Sequence, residues 1–262
     1  WLPLTFRIDD GPWLRPGEVR HLEHTRELAL RDGLLTTRLR VADARGRITR
    51  LEEVRLVSMH QPHLAALEVR LTPENWSGTM TLRSALDGSV VNAGVERYRE
   101  LEGRHLETLD TGAPEGVTWL RSRMRQSRTE VGLAARVTVA AAGAVAERRV
   151  ERLADLVAEE IEVEARAGAP VTVEKVAAYV SSRDAAVSEP VSDAITAARG
   201  ADRFGELAAA HRASWRHLWE AFDIRLDAAN GHAPQLKLRL HRFHLLQTAS
   251  PHSTGLDVGV PP

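Results

Sequence analysis

The sequence predicts a mainly β protein, a large antiparallel β-sandwich followed by a helical linker and one further helix. Three observations predict it. Short apolar runs with a two-residue period recur from Leu4 to about Val180, turn signals separate them with no helical stretch between, and after Glu189-Pro190 the apolar spacing shifts to three and four residues. Strands that follow one another without helices have no βαβ crossovers, so their sheets are antiparallel. At 262 residues and 43% hydrophobic, the chain holds enough apolar material to bury a large core.

The strands predicted in order are Leu35–Val41, Leu64–Leu71, Met80–Ala85, Trp119–Met124, Ile161–Ala165 and Val171–Val180. Between Trp119–Met124 and Ile161–Ala165 lies the clearest alternation, with Val131, Leu133, Ala135, Val137 and Val139 on one face. Asp43-Ala-Arg-Gly46, Asp87-Gly88, Thr111-Gly112 and Ala167-Gly-Ala-Pro170 punctuate them, and Ala140-Ala-Ala142 closed by Gly143 reads as another turn. In the helical part, Ser192-Asp193 are positioned to cap a short helix running to Arg199. Asp202 is positioned to cap a second, in which Phe204, Leu207, Ala208, His211, Trp215, Leu218, Trp219 and Phe222 share one side. A third helix is predicted from Pro234 to Thr248, and the Gly- and Pro-rich stretch from Ser250 onward reads as a loop. No internal repeat or low-complexity tract is evident.

Charge and composition exclude several function classes. Thirty-five basic side chains against 36 acidic ones give a net charge of -1 and no basic run, so neither nucleic acid nor an anionic membrane is an expected partner. No apolar run approaches the ~20 residues of a membrane span and no secretory signal opens the chain, so the expected compartment is the cytoplasm. With no cysteine, disulfides and thiolate catalysis are excluded. The chain opens on Trp1 rather than Met and stops at Pro261-Pro262, which reads as a piece of a longer protein cut at both ends.

Several stretches carry a resemblance when taken in order: Asn75-Trp-Ser-Gly78, Ser84-Ala-Leu-Asp-Gly88, Asn92-Ala-Gly-Val-Glu-Arg-Tyr98, and Glu174-Lys-Val176 leading to Ser181-Ser-Arg-Asp184. They are followed by His211-Arg-Ala-Ser-Trp215 with Leu218-Trp219, by Phe243-His-Leu-Leu-Gln-Thr248, by Ser250-Pro-His-Ser253, and by Leu256-Asp-Val-Gly-Val-Pro261. Together they resemble the N-terminal and linker portion of family 65 glycoside hydrolases, the disaccharide phosphorylases of trehalose, maltose and kojibiose. The resemblance implies a galactose-mutarotase-like sandwich over residues 1–189, a helical linker over 190–233, and at 234–262 the first helix of an (α/α)6 barrel that carries the active site. It also implies that the first sandwich strands lie upstream of Trp1, and that this portion is non-catalytic, with the catalytic glutamic acid beyond residue 262. In the parent enzyme that acid protonates the leaving oxygen while inorganic phosphate attacks the anomeric carbon with inversion. Disaccharide and phosphate are therefore partners of the barrel, phosphate is a co-substrate rather than a cofactor, and a homodimer is expected from the family. His252, Ser253 and Asp257, in the loop after the third helix, are the candidate substrate-binding residues, and no catalytic residue is predicted in this chain.

Other chemistry-bearing residues read as structural. The pairs His21/His24, His60/His63 and His241/His244 each offer two ligands where zinc takes three or four, so no metal site is predicted. His241 and His244 are expected as interior or interface imidazoles, and His63 after Pro62 as a strand entry. Trp215 and Trp219 are expected as the aromatic stripe of a linker helix, Trp76 as a packed turn residue, and Trp13 and Trp119 as core. The adjacent carboxylates Asp9/Asp10, Glu52/Glu53 and Glu159/Glu160 point to opposite strand faces and are expected to be solvated. Two rival readings stay open: a stand-alone carbohydrate-binding or dimerisation module, and a parent enzyme that hydrolyses α-glucosidic disaccharides with water.

Overall fold

The computed structural model describes residues 3–15, 17–91, 103–226, 233–250 and 252. Among these residues the strands come first and the helices last, as predicted. Four strands, β1 (Leu4–Ile8), β6 (Gly78–Asp87), β11 (Leu156–Ala165) and β10 (Val145–Leu153), form one sheet in that spatial order. The second sheet runs β2 (Arg20–Ala29), β3 (Leu34–Ala42), β4 (Ile48–Val57), β5 (Leu64–Pro73), β12 (Val171–Ser181), β9 (Glu130–Ala140), β8 (Val117–Met124) and β7 (Leu106–Gly112). All of these pairings are antiparallel.

The sheets close on a core that includes Phe6, Leu67, Leu71, Met80, Leu82, Ile161 and Val173. On its other face the eight-stranded sheet carries α1 (Pro190–Gly200) and α2 (Phe204–Phe222), where Ala66, Ala134, Val176 and Ala178 meet Ala194, Ala198, Phe204 and Leu207. Strand β12 is thus covered on both sides, which explains why its sequence is apolar at most positions rather than strictly alternating. Gly132 permits the close approach of α1. A β-carbon there would overlap the Pro190 carbonyl.

The two charges inside β12 point to opposite faces. Glu174 accepts from Arg203 Nε at 2.6 Å and from the Phe204 N–H at 3.3 Å. Lys175 is fully buried between the sheets, where its Nζ donates to the carbonyls of Ala85 at 2.8 Å and Pro3 at 3.2 Å. Burial pulls the Lys175 ammonium down to about 7, with the Glu159 carboxylate opposing that shift.

The helix starts differ from the predicted caps. Helix α1 begins two residues before Ser192, at Pro190, because the fixed φ of proline suits a first helical position and its missing N–H is not needed there. Helix α2 begins after Arg203 with no side-chain cap, so Asp202 does not cap it; Glu174, reaching over from β12, receives the Phe204 N–H instead. Between the helices, Arg136 of β9 donates to the carbonyls of Arg199 at 2.8 Å and Ala201 at 2.6 Å and so closes the end of α1. Glu159 also departs from expectation. It is 4% exposed rather than solvated, and its carboxylate accepts from Arg148 Nη1 at 2.7 Å.

Candidate functional site

The ends of several strands and two helices meet at one end of the sandwich around a groove of about 1120 Å³. Leu35, Leu64 and Ala178 from the sheet, with Trp215 of α2 and Phe243 of α3 (Ala233–Thr248), form its apolar floor. Its polar rim carries His63, Tyr179, Arg183, Asp184, His244 and Gln247. A second hollow of about 610 Å³ lies on the other side of Tyr179 and Leu133, with Leu120, Met124 and Ser122 in its wall.

Local sequence builds this end. The β2–β3 turn closes through Asp32 and Gly33, whose N–H groups donate to the Ala29 carbonyl, and Gly33 sits at φ +63 against the Trp215 indole, where a side chain would collide. The β4–β5 loop is tied by Ser58, whose Oγ accepts from the N–H groups of His60 and Gln61. His63 enters β5 at φ 75, exchanging bonds with Tyr179: its carbonyl accepts the Tyr179 N–H at 2.8 Å, and its Nδ1 lies 3.0 Å from the Tyr179 carbonyl. That is the strand-entry role predicted for it.

Helix α2 grips both turns. Trp219 Nε1 donates to the Leu30 carbonyl at 3.0 Å, and Asp223 at the helix end pairs with Arg31 at 2.9 Å. His211, 1% exposed, lies between the two turns: its Nδ1 accepts the Met59 N–H at 3.0 Å and its Nε2 donates to the Gly33 carbonyl at 3.2 Å. Those two partners require a neutral ring with the proton on Nε2. Burial holds its pKa below the ordinary histidine value, against the bonds to Gly33 and Asp32. The tryptophans behave as the predicted stripe, at 2% and 3% exposure, with Phe243 stacked on Trp215 at 4.8 Å.

Asp223 also binds Arg239 of α3, at 3.1 Å. Burial alone would raise its carboxyl, but the two guanidiniums outweigh it and hold the group below the usual carboxylate range. The phenol of Tyr179 is pushed up by burial and by the Asp184 charge.

Of the predicted substrate-binding residues, His252 is seen and Ser253 and Asp257 lie outside the described residues, as does the Asn92–Tyr98 motif. His252 stands at the groove with its Nε2 2.9 Å from the Met59 carbonyl. His241 and His244 are exposed on α3 rather than interior, because Phe243 and Leu246 take the buried side of that helix. Trp76 is packed as expected, 6% exposed with its Nε1 on the Ile48 carbonyl. Trp13 lies outside the strands, with the guanidiniums of Arg7 at 4.9 Å and Arg83 at 5.5 Å from its ring.

Among the described lining residues Asp184 is the one carboxylate of the groove, and it accepts the Ser181 N–H at 2.7 Å. The second hollow has Asp87, which accepts from the Ser89 N–H and hydroxyl. Glycoside hydrolysis takes two carboxyl groups flanking one bond, whereas a phosphorolytic cut takes one acid and a bound phosphate. Sequence reasoning missed His211 as more than a stripe residue; its only signal was a histidine among apolar positions of an amphipathic helix.

Comparison with known proteins bears on this geometry. Residues 1–218 match the family model for the N-terminal domain of glycosyl hydrolase family 65. An uncharacterized glycosyl hydrolase of Mycobacterium tuberculosis strain H37Rv is 42% identical over 264 residues, covering 100% of this chain and 20% of that protein. A kojibiose phosphorylase of Halothermothrix orenii is 25% identical over 260 residues, covering 95% of this chain and 32% of that protein. The fold matches that of a human-microbiome protein assigned as a kojibiose phosphorylase, with a TM-score of 0.79 at 15% identity over 94% of this chain and 31% of that one. The chain therefore spans between a fifth and a third of the length of these relatives.

Proposed function

The chain belongs to glycosyl hydrolase family 65, and from that premise we propose that it is the non-catalytic N-terminal portion of an inverting phosphorylase of α-glucosidic disaccharides. In this reading residues 1–189 are the sandwich, 190–233 the linker, and 234–262 the start of a helical barrel that holds the catalytic acid and the phosphate site. The sandwich and linker set the position of that barrel, and the loop after α3 contributes His252, Ser253 and Asp257 to its mouth.

One observation carries the proposal. Large apolar side chains are exposed from the end of α2 through α3, at Phe222 (52%), Ile224, Leu226, Leu236 (61%), Leu240 and Leu245, whereas α1 exposes none. That run of exposed apolar side chains on one segment supports an interaction site there. It fits a further helical layer packed against α3, which is what an (α/α)6 barrel continuing from this helix supplies.

The reading as a free-standing sugar module rests on open tryptophan faces. Trp76, Trp215 and Trp219 are buried, Trp13 lies beside two guanidiniums, and Trp119 packs at the edge of the helix-facing core, which favours the docking reading. The test is release of glucose 1-phosphate and glucose from trehalose, maltose and kojibiose by this chain, with and without phosphate. No release above a heat-killed control is expected. Release would place a working acid within residues 1–262 and overturn the proposal.

A further inference from the structure

The Met59 peptide is held on both sides by histidines from different parts of the chain. Its N–H donates to Nδ1 of His211, on α2, at 3.0 Å, and its carbonyl lies 2.9 Å from Nε2 of His252, which follows α3. His211 in turn reaches the Gly33 carbonyl at 3.2 Å, so one imidazole joins the β2–β3 turn to the β4–β5 loop. We infer that the Met59 peptide is a two-histidine clasp through which the linker helix and the segment after α3 hold the β4–β5 loop, and that acid opens it from the His211 side alone.

The asymmetry follows from which atom each ring uses. His252 meets a carbonyl, an acceptor that a protonated imidazole satisfies as well as a neutral one with its proton on Nε2. His211 meets an N–H, so Nδ1 must present its lone pair. Adding a proton there sets two donors face to face in a site where the ring is 1% exposed and water has little access. The charged groups acting on His211 are Asp32 of the β2–β3 turn, which favours the cation, and Arg212 of its own helix, which opposes it. The β4–β5 loop meets the ring with the Met59 peptide, and the Trp215 indole packs edge-on at 6.3 Å.

Burial lowers the folded-state pKa of His211, so the unfolded or opened state binds the proton more readily. The clasp is therefore at full strength above the ordinary histidine range and weakens as pH falls through and below it. Opening frees the loop that forms one lip of the groove from α2, leaving its bond to the segment after α3 and the sandwich core untouched.

Amide hydrogen exchange from pH 7.5 to 5, corrected for intrinsic rates, tests this on the 262-residue chain. The Met59 amide is expected to lose about ten-fold or more of its protection on acidification while Val173, buried in β12, keeps its own. His211→Asn, which retains an acceptor for Met59 but cannot titrate, is expected to remove the acid step. His252→Gln, which retains a donor for the Met59 carbonyl, is expected to leave it in place. The inference is overturned by an unchanged acid step in His211→Asn, or by Met59 and Val173 opening together. Should His211→Asn not fold, the wild-type ring decides: protonation of His211 seen by NMR while Met59 stays protected overturns it equally.

Discussion

Helices α1, of 11 residues, and α3, of 16, differ in what they leave exposed. Helix α1 lies against β9 and β12, burying Ala194 and Ala198 in the core it shares with the sheet, and has no large exposed apolar side chain. Helix α3 buries Phe243 and Leu246 against Trp215 and Trp219, yet leaves Leu236, Leu240 and Leu245 in solvent. Helix α1 finds its apolar partners on the sheet, whereas α3 leaves three leucines uncovered among the described residues, and in the proposed reading the continuing barrel covers them.

The largest effect that sharpens this contrast is expected at its junction. Trp215→Ala removes the floor on which Phe243 stacks and is expected to destabilise the α2–α3 contact by about 3–5 kcal/mol, measured by urea denaturation with helical and near-ultraviolet signals followed separately. Loss of the α3 signal ahead of the β signal is the expected order. A single coincident loss at unchanged midpoint would break the contrast.

A second, pH-dependent effect tests how tightly the sandwich is sealed. Lys175 is pulled down to about 7 by burial, so between that value and its ordinary range the unfolded chain binds more protons than the folded one. Stability should then rise with pH across that window, by at most ~1.4 kcal/mol per pH unit from this group. Lys175→Met is expected to remove that share of the slope, read from denaturation midpoints at pH 7, 8 and 9. Equal slopes in both proteins would mean that water reaches the amine and that the core is looser than its packing indicates.

The smallest effect belongs to the exposed face. Leu236→Glu with Leu240→Glu is expected to change the stability of this chain by less than about 0.5 kcal/mol, because neither side chain is buried here. The same pair is expected to lower self-association, read by sedimentation. A loss of several kcal/mol would show that the α3 face already has its partner within these residues.

Much of this was legible in the sequence, for stated physical reasons. Strands buried on one or both faces, such as β5, β9 and β12, announce themselves because burial imposes apolar residues at fixed spacing. Strands β1, β2, β4, β7 and β10 were not singled out; of these, β2 and β10 are edge strands facing water, where charges fill positions that burial would have made apolar, and the interior β4 is masked by its own charged residues Arg50, Glu52, Glu53 and Arg55. Both helix caps were misread because Pro190 and the distant Glu174 replace the expected local side chains. The candidate site was legible in part: the tryptophan stripe and the His63 entry were readable from spacing, while the grip of His211 on Gly33 and Met59 joins positions 178 and 152 residues apart and leaves no local pattern.

Hydrogen exchange along the whole chain at neutral pH tests the central claim most directly. Amides of α1 and of the part of α2 that faces β5 and β12 are expected to reach the protection of β12, while those of α3 from Leu236 to Leu245 open with a much smaller free energy. Equal protection in α1 and α3 would contradict the claim, since it would make α3 a finished part of the same body rather than the first element of another.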